Sequence, residues 1–131
     1  MGANIVTVST DTEFVHLAWH QHEPGLKDVK YPMASDANGD LSRLFGVYDD
    51  ESGLAYRGTF IINPEGKLLS MDINFFNVGR NIEELLRKYK AFLYVAKNTK
   101  KACPSKWKDE GDATLEPGAH MVGNVYKSDG S

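Results

Sequence analysis

One side chain in this sequence carries a thiol. Cys103 stands in Ala102-Cys103-Pro104-Ser105-Lys106-Trp107-Lys108, with Lys100 and Lys101 just ahead of it. Thiolate, rather than thiol, attacks a sulfenic acid or a disulfide, so the chemistry open to Cys103 depends on how far its surroundings favour the ionised form. The ammonium groups of Lys100, Lys101, Lys106 and Lys108 favour it modestly, because exposed charges are screened. Local sequence by itself favours the plainer reading of a small buried apolar cysteine, the commoner fate of a lone intracellular thiol. Disulfide chemistry at Cys103 needs a second sulfur from outside this sequence.

Other groupings suggest chemistry more weakly. His16, His20 and His22 are spaced so that the first two share a helix face, as zinc ligands would. No cysteine or acidic cluster completes that set, and surface histidines are expected. Asp36-Ala37-Asn38-Gly39-Asp40 opens like a calcium loop, but the later ligands and the closing glutamate are lacking. It reads as a turn into a helix. Arg57 falls in a β-rich segment, where an arginine ordinarily pairs with a surface carboxylate. Arg80 stands at the head of a helix, where a cation is ordinarily disfavoured and is either turned aside or kept for an anion.

With 131 residues, 41% hydrophobic and 25% charged, the composition is that of one globular domain large enough for a core. A net charge of -3 gives no general drive toward nucleic acid or anionic lipid, and no apolar run approaches a membrane span. A cytoplasmic location follows as the default.

The elements that must position these residues alternate. Asn4 to Ser9 is a β-branched run suited to a buried parallel strand. A helix capped by Asp11 or Thr12 follows, with Phe14, Val15, Ala18 and Trp19 at helical spacing until Pro24-Gly25. Tyr31 to Ala34 reads as a second strand, and the turn after it feeds a short helix carrying Leu41, Leu44 and Phe45, ended by Gly46. Tyr56 to Ile62 and Lys67 to Ile73 form a hairpin about Asn63-Pro64-Glu65-Gly66. The clearest helix begins at Asn81, with Glu84 placed for a capping box and Ile82, Leu85, Leu86, Tyr89, Phe92, Leu93 and Ala96 on one face. From Gly111 to Ser131 the composition predicts a loose tail, ordered only against something else.

The block Gly53-Leu54-Ala55-Tyr56-Arg57-Gly58-Thr59-Phe60-Ile61-Ile62-Asn63-Pro64 resembles the G-L-A-x-R-G-T-F-I-I-D-P block of typical 2-Cys peroxiredoxins of the alkyl hydroperoxide reductase type. Ala102 to Lys108 resembles that family's V-C-P-A-x-W-K motif, whose cysteine is the resolving one. The resemblance runs along essentially the whole chain but matches only the later part of the family's domain. It implies an α/β, incomplete thioredoxin-like (peroxiredoxin) fold with a mixed sheet and flanking helices. A partial core would occupy residues 1–97, and a resolving-cysteine segment and tail residues 98–131. Cys103 is then the resolving cysteine, Arg57 the guanidinium beside the peroxidatic sulfur, and Arg80 a second arginine supporting the same pocket. Asn63 departs from the family's aspartate at one turn position. The ending Gly123-Asn124-Val125-Tyr126 is similar to bacterial members, without the insert and terminal helix of members prone to overoxidation.

The family's peroxidatic segment, T-F-V-C-P-T-E, does not occur in this sequence. The resemblance therefore implies that a central strand is also lacking, leaving the sheet split and the chain unstable alone, domain-swapped, or completed by another segment. The function it implies is that of the resolving part of a thiol-dependent peroxidase acting on hydroperoxides. Cys103 would form a disulfide, or a selenylsulfide, with a residue supplied by a missing segment or a second subunit. A thioredoxin-like or flavoprotein donor would serve as reductant, with no cofactor, and the assembly would be a homodimer or larger. The alternative is a non-catalytic fragment that keeps only the family's dimer-forming surfaces.

Overall fold

The structure, a computed structural model, describes residues 2–124. Val125 and Tyr126 of the ending noted above lie outside the described residues. The described chain falls into two compact units. One runs through Thr59 and includes Met71–Gly79; the other comprises Phe60–Ser70 and the chain from Arg80 onward.

In the first unit, β1 (Thr7–Ser9) and β2 (Met33–Ser35) pair in parallel, with Thr7 opposite Met33 and Ser9 opposite Ser35. α1 (Glu13–His22) joins them. Thr12 is its N-cap, accepting from the Val15 amide at 3.4 Å, and the helix stops at Glu23, ahead of Pro24. β1 is shorter than the run Asn4 to Ser9, and Ile5 and Val6 are exposed. A buried parallel strand needs neighbours at both edges and layers on both faces, and β1 has one neighbour. The same deficit corrects the reading of α1. Phe14 is 74% exposed and Trp19 52%, while the one buried residue of the helix is His16.

After β2, Asp36 turns the chain into α2 (Asp40–Leu44). Its buried carboxylate accepts from the Leu41 amide at 3.0 Å, the Ser42 amide at 2.7 Å and the Ser42 hydroxyl at 2.6 Å. Those donors, the Ser42 hydroxyl foremost, hold its pKa below the usual carboxylate value. The calcium-loop echo is thus a helix cap. Gly46, at φ +72°, ends α2 as expected.

A pair not foreseen in the sequence follows. β3 (Tyr48–Asp49) and β4 (Leu54–Ala55) are antiparallel, closed by Asp49, which accepts from the Ser52 hydroxyl at 2.6 Å, and by Gly53 at φ +70°. The Tyr48 ring lies under the Arg43 guanidinium, 4.1 Å from it, and against Gly39. At Gly39 φ is +75°, and a Cβ would stand 2.5 Å from that ring. Gly39→Ala combines a strained dihedral with a clash, and should destabilise this region by about 1–3 kcal/mol. Hydrogen exchange would report it as a loss of protection at the Leu41 and Ser42 amides.

β5 (Arg57–Ile62) and β6 (Leu68–Asn74) form the expected hairpin. Its turn end lies in the second unit and its open end in the first. Gly66 takes φ +83°, and the Asn63 side-chain oxygen accepts from the Lys67 amide at 2.8 Å. The amide oxygen of Asn63 thus supplies the acceptor this turn needs.

In the second unit, α3 (Ile82–Lys97) starts at Asn81, whose side chain accepts from the Glu84 amide at 3.1 Å. Both oxygens of Glu84 are engaged by Arg87, one turn further in. The apolar stripe is present but incompletely covered: Ile82 is 56% exposed, and no α3 residue is buried. Contrary to the loose tail predicted, the described part folds back on the segment after α3. Ala102 and Leu115 form an antiparallel bridge at 2.8 and 2.9 Å, and Lys101 meets Glu116 at 2.5 Å. Asp112 accepts from the Lys108 and Asp109 amides. What orders the tail is the cysteine loop itself.

Among the described residues the strands form three two-stranded sheets, parallel and antiparallel both represented, with no continuous sheet. Among the described residues the buried hydrophobic side chains are Val47 and Trp107.

Candidate functional site

Cys103 leaves α3 by way of Asn98, whose side chain and amide both bond the Tyr94 carbonyl at 2.9 Å. The thiol is half-buried. Directly after it, the Trp107 amide donates to the Pro104 carbonyl at 3.0 Å, closing a turn that sends the indole inward. Trp107 is 2% exposed and its ring packs 5.6 Å from that of Tyr94 on α3. Its carbonyl accepts from Arg87 Nη1 at 3.0 Å, while Arg87 Nε and Nη2 donate to Glu84 at 2.6 and 2.8 Å. One guanidinium thereby ties the cysteine loop to the helix.

Two effects oppose each other at the thiol. Burial pushes the Cys103 pKa up, and the lesser attraction of Arg87 pulls it down. The net direction is upward, so Cys103 rests as a thiol at neutral pH. The cation acting on it is Arg87 rather than the flanking lysines, of which Lys101 is turned to Glu116. Arg87 is not among the residues that the sequence singles out. The available signal was the Glu84–Arg87 spacing of three, which forms an ion pair on a helix.

Arg57 begins β5 and is exposed. Its Nε donates to the Phe76 carbonyl at 2.8 Å rather than to a carboxylate. Beside it Tyr56, Phe75 and Phe76 form an aromatic cluster with centroids 4.8 to 5.8 Å apart. The carbonyl fixes one edge of the guanidinium and directs its terminal amino groups elsewhere, an arrangement suited to an anion. Arg80 is exposed and immediately precedes the N-cap of α3. Arg57 belongs to the first unit, Arg80 and Cys103 to the second. The structure brings Cys103 together with Arg87.

The histidines are spent locally. His16, 5% exposed, meets the Ser9 hydroxyl through Nε2, and His20 Nε2 meets the Val29 carbonyl at 3.1 Å. His16 is therefore a buried residue and not a surface one: α1 turns it toward the end of β1. Among the described residues no group of three His, Cys, Asp or Glu side chains is placed to hold a metal ion, and no helix is long and apolar enough to cross a membrane.

Residues 1–71 match the AhpC/TSA family. The chain is 45% identical over 125 residues to alkyl hydroperoxide reductase C of Staphylococcus aureus, covering 95% of this chain and 66% of that protein. It thus spans about two thirds of the length of the curated relatives it matches. The crystal structure of Enterococcus faecalis AhpC is similar with a TM-score of 0.72 at 46% identity, over 77% of this chain and 60% of that one. The reduced 2-Cys peroxiredoxin of Plasmodium vivax shares the fold with a TM-score of 0.79, over 91% of this chain and 64% of that one, at 23% identity. The fold is peroxiredoxin-like, and with the family match reaching from β1 into β6 and taking in Arg57, the chain belongs to the AhpC/TSA family.

Proposed function

We propose that this chain is the resolving part of a thiol-dependent peroxidase that reduces hydrogen peroxide and organic hydroperoxides. The observation that carries the reading is the state of Cys103: a half-buried thiol, protonated at neutral pH, on the loop that Arg87 ties to α3, in a sequence with no second cysteine. A first nucleophile toward peroxide needs a depressed pKa, whereas a thiol that waits for a sulfenic acid does not. The family membership and the resemblance of the Cys103 motif support the same assignment.

The cycle balances as follows. A peroxidatic thiolate, or selenolate, supplied by another segment or subunit attacks the peroxide; an S–O or Se–O bond forms as the O–O bond breaks, leaving a sulfenic or selenenic acid, and water or alcohol departs after taking a proton. Arg57 stabilises the thiolate and the charge on the breaking bond, and Arg80 is the second arginine that the family resemblance assigns to this step. Cys103, as thiolate, attacks the sulfenic sulfur; the S–S bond forms, the S–O bond breaks, and hydroxide leaves as water. A thioredoxin-like or flavoprotein donor returns two electrons. The assembly is a cytoplasmic homodimer or larger, with the chain from residue 98 onward as its resolving arm.

The test uses the Staphylococcus aureus relative in a variant that keeps only its peroxidatic cysteine. Mixed with this chain and treated with hydrogen peroxide, it should form an intermolecular disulfide visible on a non-reducing gel, and Cys103→Ser should abolish that band. Association without a Cys103-dependent disulfide would make the chain an interaction partner and overturn the proposal. The purified chain with no partner should consume no hydroperoxide.

A further inference from the structure

We infer that Arg87 is a positioning residue for Cys103, holding the loop that carries the thiol and keeping a permanent cation in the field of its thiolate. The inference rests on the resolving role just proposed and adds the residue that makes the thiol serviceable. The geometry is a three-way tie. Glu84 fixes the guanidinium through Nε and Nη2, the remaining Nη1 holds the Trp107 carbonyl, and Trp107 is the deepest side chain in the unit, closed onto the Pro104 carbonyl next to Cys103. Glu84 is itself anchored, because its amide caps α3 on Asn81. The cation is thus set by the helix and the loop by the cation.

The chemistry needs such a group twice. When Cys103 attacks a sulfenic sulfur it must first lose its proton, against the burial that favours the thiol. When a donor thiolate attacks the peroxidatic sulfur of the resulting disulfide, the S–S bond breaks, a mixed disulfide forms, and Cys103 departs as a thiolate that then takes a proton. A thiol of lower pKa leaves faster. A guanidinium fixed to the loop that carries the sulfur, its charge acting on the thiolate, lowers the barrier in both directions without ever losing its own proton, and Glu84 raises its pKa further.

The same tie makes a contrary outcome possible, and the two differ in sign. If Arg87 were only a structural bolt, cutting it would loosen the loop, uncover the thiol and speed its reactions. If it also serves the thiolate, removing its charge makes Cys103 harder to ionise. The experiment follows alkylation of Cys103 in the full chain by iodoacetamide, a neutral reagent, between pH 7 and 10. A Trp19→Phe background lets Trp107 emission report whether the loop stays docked.

Arg87→Met should move the alkylation midpoint to higher pH and slow the reaction at pH 8 about threefold to tenfold. Arg87→Lys, which keeps the charge but loses the fork, should slow the reaction at pH 8 less than Arg87→Met does, by no more than about threefold. An unchanged or faster rate in Arg87→Met with Trp107 emission retained overturns the inference. Should Arg87→Met release the loop, Arg87→Lys decides: a rate within the stated range supports the inference, and any larger change overturns it. None of these readouts requires peroxide or a peroxidatic partner. Their failure leaves the resolving role standing, and failure of the disulfide test leaves the Arg87 result standing.

Discussion

Purified alone, the chain should elute from a sizing column as self-associated species and lose its circular dichroism gradually on heating, with no sharp transition. Ordering a residue costs about 1–2 kcal/mol of backbone entropy, and a buried large apolar side chain returns about 1.5–3 kcal/mol. Here the buried apolar side chains are Val47 and Trp107, while Phe14, Trp19, Leu44, Met71 and Phe75 stay exposed. Each of the three sheets has two strands, so among the described residues no strand has a strand neighbour on both edges. β1 carries no charge, and β5 has a single charged residue, Arg57, followed by Gly-Thr-Phe-Ile-Ile. Such edges invite strand addition by a second copy. Adding a segment that carries the family's peroxidatic region should convert the sample to one species with a cooperative melt. A monodisperse monomer of this chain alone that unfolds in one sharp step would refute the account.

What the sequence disclosed follows the range of the forces involved. Thr12, Asn81 and Gly46 act on amides a few residues away, so caps and stops were readable. The Asn63–Gly66 reversal was equally local. β3 and β4 escaped notice because two-residue strands are too short to show alternation; their only mark was the Asp49, Ser52 and Gly53 turn chemistry. The return of the tail was hidden for a different reason. It rests on the bridge from Ala102 to Leu115, residues whose types promise nothing, and on the adjoining pair of Lys101 and Glu116, whose spacing of fifteen carries no local signal.

The stripes of α1 and α3 taught a further lesson. Their periodicity marks the face a helix would bury, but says nothing of whether a covering layer is present. Phe14 and Ile82 lie on such faces and remain in solvent. His16 shows the converse, a polar residue buried because Ser9 offers it a partner. Cys103 and Arg57 were singled out through motif resemblance. Arg87 was not, since nothing in a helical Glu-x-x-Arg pair says that the third arm of the guanidinium reaches a loop carbonyl twenty residues on.

In an assembly completed by a peroxidatic segment, Arg57→Met should slow the reaction with hydrogen peroxide by about a hundredfold or more. A side chain whose Nε is fixed to the Phe76 carbonyl at 2.8 Å has surrendered one donor to orientation, and the packed rings of Tyr56 and Phe76 stiffen the backbone on both sides of that bond. Its terminal amino groups are then presented at a constant angle, so little reorganisation is needed when charge develops on the breaking O–O bond. Lysine cannot reproduce this. It has the charge but no fork, so Arg57→Lys should recover only part of the rate. The loss should fall on the peroxide-dependent step and also raise the pH at which the peroxidatic sulfur ionises, whereas resolution by Cys103, measured from preformed sulfenic acid, should change little. Stopped-flow rates across pH separate the two steps. A drop smaller than threefold in the peroxide step, with the β5–β6 hairpin intact by circular dichroism, would remove Arg57 from the chemistry and leave it a surface residue tied to its own strand.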